Sequence, residues 1–255
     1  MSTRLRDRLM GAIDHLRHEP TEKRVRAAAG GRDVVDTTSA VLVWEPGHVV
    51  PVYAVPEDGL DAELEPASDG GSDHSAEGEL LDVIAGGERL ARAALRPADP
   101  DLSGYVILDF ASFEGWHEED EPIVGHPRDP FHRIDILRGS RHVRVELDGV
   151  LLAESREPTL LFETHLPVRF YLPSADLVLE PAASPKRTVC AYKGEASHWS
   201  FDLPGAADIA WSYEAPLEEA AQVEGLVAFY DEEVDVVLDG DRRERPRTQW
   251  SRAAS

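Results

Sequence analysis

The sequence predicts a mainly β protein made of two tandem copies of one compact antiparallel domain, preceded by a short helix. Three observations predict it. From residue 22 onward the chain runs in short apolar stretches rich in Val, Leu and Tyr, cut by Gly, Pro and Asp, as antiparallel strands and tight turns require. One stretch near the start has helical spacing instead. The body of the chain repeats itself, and a repeat has to be sought before any motif because it decides the fold.

In chain order, Leu5, Leu9, Ile13 and Leu16 fall at three- and four-residue spacing between Thr3 and His18, flanked by Arg4, Arg6, Arg8 and Arg17. This pattern reads as an amphipathic helical arm over residues 1–21 that Pro20 ends. Next, Arg24-Val25-Arg26 matches His142-Val143-Arg144, Gly31 matches Gly149, and Asp36–Glu45 (DTTSAVLVWE) matches Glu154–Glu163 (ESREPTLLFE), all at an offset of 118. Further along the match moves to an offset of 100, pairing Glu118-Glu119 with Glu218-Glu219, Gly125 with Gly225, and Ile134-Asp135-Ile136 with Val234-Asp235-Val236. The expected copies are then 22–137 and 141–239. The first carries extra residues in the acidic, Gly/Ser-rich run Asp58–Gly87, read as a mobile loop. Residues 240–255, rich in Arg, read as a disordered tail.

With 26 Lys and Arg against 49 Asp and Glu, the 255-residue chain has a formal charge of -23. Such a field repels phosphate backbones and anionic lipid, so no nucleic-acid and no membrane partner is expected. No run approaches the roughly 20 apolar residues of a membrane span, and Met1–Pro20 lacks the apolar core of a signal peptide. A single cysteine, Cys190, rules out an internal disulfide framework and suits a reducing compartment. A cytoplasmic location is the expectation.

Copy two carries Val143–Gly149 (VRVELDG), Arg169-Phe170-Tyr171-Leu172-Pro173, Cys190–Glu195 (CAYKGE), Ser197-His198-Trp199, and Ala210–Tyr213 (AWSY) followed by Pro216. Over its whole length it resembles the bacterial family catalogued as domain of unknown function 427, also filed under a nucleotidyltransferase heading. Gly125–Leu137 (GHPRDPFHRIDIL) looks like the joint of tandem members. Members usually have Pro where this chain has Ala191. The resemblance implies a tent-like antiparallel β domain and brings no assured activity.

Chemistry-bearing residues concentrate in copy two. Lysine occurs only at positions 23, 186 and 193, so Cys190 and Lys193 in one hexapeptide invite a functional reading. A thiol beside a lysine, with His198 as base, would make a nucleophile. Strand parity argues otherwise: a two-residue turn at Gly194-Glu195 sets Cys190 opposite Trp199 on a core face with Tyr192 and Phe201. Cys190 is then a buried hydrophobe, while Lys193 and His198 share the other face. The same parity puts Arg169 and Tyr171 together, away from Val168, Phe170 and Leu172. Arg offers a bidentate fork, Lys a point charge and Tyr an orienting hydroxyl. Glu163, six residues before Arg169, is placed to pair with it or to act as general base; the bland alternative is a solvated face with one Arg–Glu pair. Aligning Pro56 with Pro173 puts Val52 and Ala54 where copy two has Arg169 and Tyr171, which favours copy two as the site.

Ligand binding is therefore expected from Arg169, Tyr171 and Lys193, with Glu163, Lys193 and His198 as candidate catalytic groups. The expected partner is a small anionic or carbonyl-bearing metabolite. A nucleotidyltransferase-like enzyme and a non-catalytic interaction module are the alternatives. The oligomeric state and any cofactor are left open. His126 and His132 frame the joint; one cysteine rules out a thiolate zinc centre, and no metal site is assigned. Asp99-Pro100-Asp101 imitates a magnesium-holding carboxylate pair but reads as a loop, and Gly30-Gly31 and Gly86-Gly87 lack the helix and lysine of a phosphate loop.

Overall fold

The computed structural model describes residues 2–68, 73–248 and 250–251, with the side chains of Leu5, Arg6 and Leu9 outside that description. Two compact units divide the chain, Met1–Asp129 and Pro130–Ser255. Each is antiparallel β, and among the described residues each contains eleven strands.

In the first unit a helix (α1, Leu5–Met10) precedes β1 (Arg17–Pro20), β2 (Val25–Ala29), β3 (Arg32–Thr37), β4 (Val41–Trp44), β5 (Val52–Pro56) and β6 (Glu63–Pro66). Then come β7 (Gly78–Ala85), β8 (Glu88–Pro97), β9 (Tyr105–Leu108), β10 (Gly115–Glu118) and β11 (Glu121–Ile123). Seven of them form one sheet in the order β1-β4-β5-β9-β8-β7-β6, and four form a second, β11-β10-β2-β3. The main core, with Val25, Val35, Leu42, Tyr53, Val83, Val106 and Trp116, lies between the two sheets.

The second unit follows with β12 (Ile134–Arg138), β13 (Val143–Leu147), β14 (Val150–Ser155), β15 (Thr159–Glu163), β16 (Arg169–Tyr171) and β17 (Ala182–Cys190). It closes with β18 (Gly194–Ser200), β19 (Ala210–Ser212), β20 (Val227–Phe229), β21 (Asp235–Leu238) and β22 (Asp241–Arg242). A bridge between Leu172 and Val227 joins β16 to β20. The large sheet therefore runs β12-β15-β16-β20-β19-β18-β17 and the small one β14-β13-β21-β22. This is the order of the first unit shifted by eleven strands, so the duplication extends to every strand.

That correspondence corrects several expectations. The helix is short because Gly11 caps it, and Arg17–Pro20 is an edge strand on β4, with Arg17 opposite Trp44. Residues 58–87 are not one loop: β6 and β7 lie wholly within them, and Leu81, Asp82 and Val83 of β7 are buried. Residues 69–72 of that run lie outside the described residues. The offset of 100 is an accident of composition. Ile134–Ile136 belongs to β12 beside β15, whereas Asp235–Leu238 pairs with β13 as Gly115–Glu118 pairs with β2. Glu119 and Asp239 are the true counterparts: both have positive φ, and each exchanges bonds with the residue before its neighbouring strand, Arg24 and His142.

Ordered contacts also replace the expected disorder at 240–255. β22 pairs with β21, Arg245 Nε bonds Asp235 Oδ1 at 3.0 Å, and Thr248 bonds Glu232 at 2.6 Å. Residues 249 and 252–255 lie outside the described residues.

Both glycine pairs that imitate phosphate loops close hairpins. Positive φ at Gly30 and Gly31, and at Gly86 and Gly87, is what two-residue turns between twisted strands demand. The two turns also meet. A Cβ on Gly30 would lie 2.4 Å from the Ala85 carbonyl oxygen, and one on Gly86 2.5 Å from that of Gly30, while Gly31 faces open space. Gly31→Ala should thus cost only the left-handed strain of about 1–2 kcal/mol, and Gly30→Ala distinctly more. Urea unfolding of the two variants checks this; equal losses would contradict the turn-to-turn contact.

Candidate functional site

The large sheet of the second unit has two unlike faces. Strand alternation sends Phe170, Leu172, Phe229 and the partly buried Trp199 into the main core. The opposite face gathers Leu161, Tyr171, Ala196, Trp211, Tyr213 and Ala228. Leu161 lies opposite Arg169, Thr159 opposite Tyr171, and His198 opposite Trp211, itself opposite Ala228. Arg169, Tyr171 and His198 therefore share this face, as parity within β16 leads one to expect.

Lys193 arrives by a different route. The β17–β18 hairpin pairs Cys190 with Gly194, so its loop is Ala191-Tyr192-Lys193 and Gly194 takes the left-handed conformation at φ 91°. The expected turn at Gly194-Glu195 is wrong, and the error moves residues across the sheet. Cys190 is only partly buried and sits outside the hydrophobic clusters. Its expected enclosure by Tyr192, Trp199 and Phe201 is not formed, and Tyr192 stacks on His132 with ring centres 4.4 Å apart. From the loop, Lys193 Nζ donates to both oxygens of Glu163 at 2.7 Å. His132 Nε2 is 3.1 Å from Glu163 Oε1. Burial works against the charged form of Glu163, but the bonds from His132 and Lys193 outweigh it, and the carboxyl titrates below its ordinary range. That makes Glu163 a poor base near neutrality and a firm anchor for Lys193.

The fork of Arg169 is occupied. Its Nη1 and Nη2 donate to Glu232 at 2.8 and 2.6 Å, and Asp231 lies 3.6 Å from Nη1. The pair is buried, with 7% of the Arg169 side chain exposed and none of Glu232. The expected anion-capturing fork and the expected Glu163–Arg169 pairing are both replaced by this ion pair. Trp211 flanks the guanidinium at 5.6 Å from its ring centre, and Trp250 at 5.8 Å. Trp211 Nε1 donates to Tyr171 Oη at 3.1 Å, and burial pushes the Tyr171 phenol up.

His198 is 1% exposed. Its Nε2 lies 2.8 Å from Thr188 Oγ1, while its Nδ1 is buried without a partner. Burial, with Lys186 and Arg187 nearby, pushes the imidazole below its ordinary value, so the ring is neutral at pH 7. Sequence reasoning missed Asp231, Glu232, Trp211, Tyr230 and Trp250. Only AWSY, quoted for the family resemblance, held a usable signal, in Trp211. Among the described residues no group of three or more His, Cys, Asp or Glu side chains is arranged to hold a metal ion, and no helix is long and apolar enough to cross a membrane. Asp99 merely caps a short 3-10 turn through the Asp101 amide.

This architecture has a family. Residues 17–115 and 135–240 match the family described as "Domain of unknown function (DUF427)", labelled NTP_transf_9. Both units are covered, and the chain belongs to that family as a tandem member. No curated protein matches it.

Asp231 provides a pH test. Burial pushes its carboxyl up to about 6, against an ordinary 3.8, despite Arg169 nearby. Between those values the folded chain holds a proton that the unfolded chain has released, so this residue makes stability fall as pH rises through about 4–6. Glu163 and Glu232 act in the opposite sense at lower pH, their pKa values being depressed in the fold. Asp231→Asn should therefore stabilise the protein at pH 7–8 by up to about 3 kcal/mol, with the gain vanishing near pH 4. Chemical denaturation at both pH values measures it; a gain independent of pH would show that the ionised carboxylate carries no penalty.

Proposed function

We propose that the second domain binds a small anionic or carbonyl-bearing metabolite on this face, and that the first domain is its scaffold. The observation that carries the reading is how one set of strand positions is filled in the two copies. Register pairs Arg169 with Val52, Tyr171 with Ala54, His198 with Leu80 and Trp211 with Leu95. In the first domain those residues form an aliphatic cluster with Val43 and Ile107. The same strand positions are thus filled without a charge. Replacing buried ion pairs by apolar groups is commonly neutral or stabilising, so the charges of copy two serve something other than stability.

Three polar functions on this face remain unspent among the described residues. Lys193 has three donors and uses two on Glu163. Tyr171 accepts from Trp211, leaving its own proton to give. His198 keeps Nδ1. Two donors and a neutral imidazole on one face suit a carbonyl or carboxylate oxygen, with His198 available for proton transfer and Glu163 holding Lys193 in place.

A thermal-shift screen of 2-oxo acids, dicarboxylates and aromatic acids tests the reading. Ligands that raise Tm should lose their effect in Tyr171→Phe and in the double variant Lys193→Met/Glu163→Gln, which removes both members of the pair. They should keep it in Leu80→Val of the first domain. Stabilisation that persists through both second-domain variants would place the site elsewhere.

A further inference from the structure

The described residues after β22, 243–248 and 250–251, lie along the second domain and reach Arg169. Arg243 N donates to Val236 O at 2.8 Å, and its guanidinium lies 5.2 Å from the Phe170 ring centre. Beneath the segment is a cavity of about 30 Å³, with Asp231, Val234 and Val236 on the body side and Arg243, Glu244 and Pro246 on the other. Beyond it, Thr248 Oγ1 donates to Glu232 Oε1 at 2.6 Å and Trp250 stacks near Arg169. A local turn presents the two together: Thr248 N donates to Ser251 Oγ, Ser251 N to Thr248 O, and Trp250 N to Thr248 Oγ1.

Each of these contacts has the form of a ligand contact. An indole lies against the flat face of a guanidinium that gives one N–H from each Nη to Glu232, and flat faces select planar partners. A hydroxyl meets the one Glu232 oxygen that Arg169 Nη2 also reaches. Trp250 stays 39% exposed, and the rest of the segment is held by single hydrogen bonds and exposed ion pairs such as Arg245–Asp235, which bind weakly. The arrangement is a loosely held strap over a buried, preorganised pair.

We propose that Thr248 and Trp250 occupy a binding slot for a planar aromatic or heteroaromatic ring bearing a hydroxyl or amino donor, which stacks on Arg169, donates to Glu232 and displaces the strap. The slot rests on the reading that this face holds a ligand, and it names the ring as the part of that ligand that Arg169 recognises. The strap competes with the ligand from within the chain.

The test uses the full chain and 7-hydroxycoumarin, a planar fluorescent probe with one donor hydroxyl, followed by fluorescence anisotropy. Trp250→Ala should bind it at least tenfold more tightly than the parent. Thr248→Val, which frees Glu232 Oε1 and leaves the indole, should show a smaller gain, and coumarin without the hydroxyl should compete poorly. Trp250 is exposed and Thr248 half-buried, and a retained cooperative thermal transition verifies that both variants fold. Equal affinity in parent and Trp250→Ala, or no binding to either, overturns the slot. Carboxylate ligands that depend on Lys193 and ignore both strap variants would also overturn it, while leaving the proposed function standing.

Discussion

Arg169 and Glu232 are buried together, and neither can be removed alone without leaving an unpaired charge where water does not reach, at a cost of about 3–5 kcal/mol. That constraint organises much of the second domain's polar face. Arg169 stands on β16, an inner strand of the large sheet, and Glu232 follows β20, the strand next to it. The pair joins β16 to the segment after β20 beside the Leu172–Val227 bridge, with Trp211 flanking Arg169 and Thr248 bonded to Glu232. Asp231 is drawn into the same volume without a bidentate partner, so its proton is held more tightly than a carboxyl's usually is.

Duplication explains how such a face is sustained. The first domain secures the same strands with Val43, Val52, Ala54, Leu80, Leu95 and Ile107, a cluster that needs no hydrogen bonds. Even the glutamate common to both copies is held differently. Glu45 takes His74 Nδ1 and the amides of Ser75 and Ala76, whereas Glu163 takes Lys193 and His132. Ser75 occupies the position of Lys193, as the register of β7 on β8 and of β18 on β19 requires. A carboxylate at this strand end is a fixture of the fold, and the cation facing it is the variable part.

What the sequence disclosed follows from the range of the forces involved. Alternation along β16 is local, so the division of Arg169 and Tyr171 from Phe170 and Leu172 was legible, as was the match of Pro56 to Pro173. The β17–β18 hairpin was not, because a left-handed Gly194 serves a three-residue loop as well as the first position of a two-residue turn, and the choice reverses every neighbour. Glu232 lies 63 positions from Arg169, and no local pattern relates them. The segment from 241 onward has no apolar period; its order comes from Val236, Asp235 and Glu232, which composition does not register.

The position of the unspent groups bears on what kind of site this is. A face built for adhesion would keep apolar area exposed, yet Tyr171, Trp211 and Tyr213 are almost fully buried. A buried polar atom without a partner costs about 1–3 kcal/mol. His198 Nδ1 is such an atom, in a ring whose other nitrogen is satisfied and which burial keeps neutral. The first domain fills that position with Leu80 and avoids the cost. The imidazole of the second domain stacks beside Tyr230, which in turn packs against Trp211, where the first domain has only aliphatic side chains.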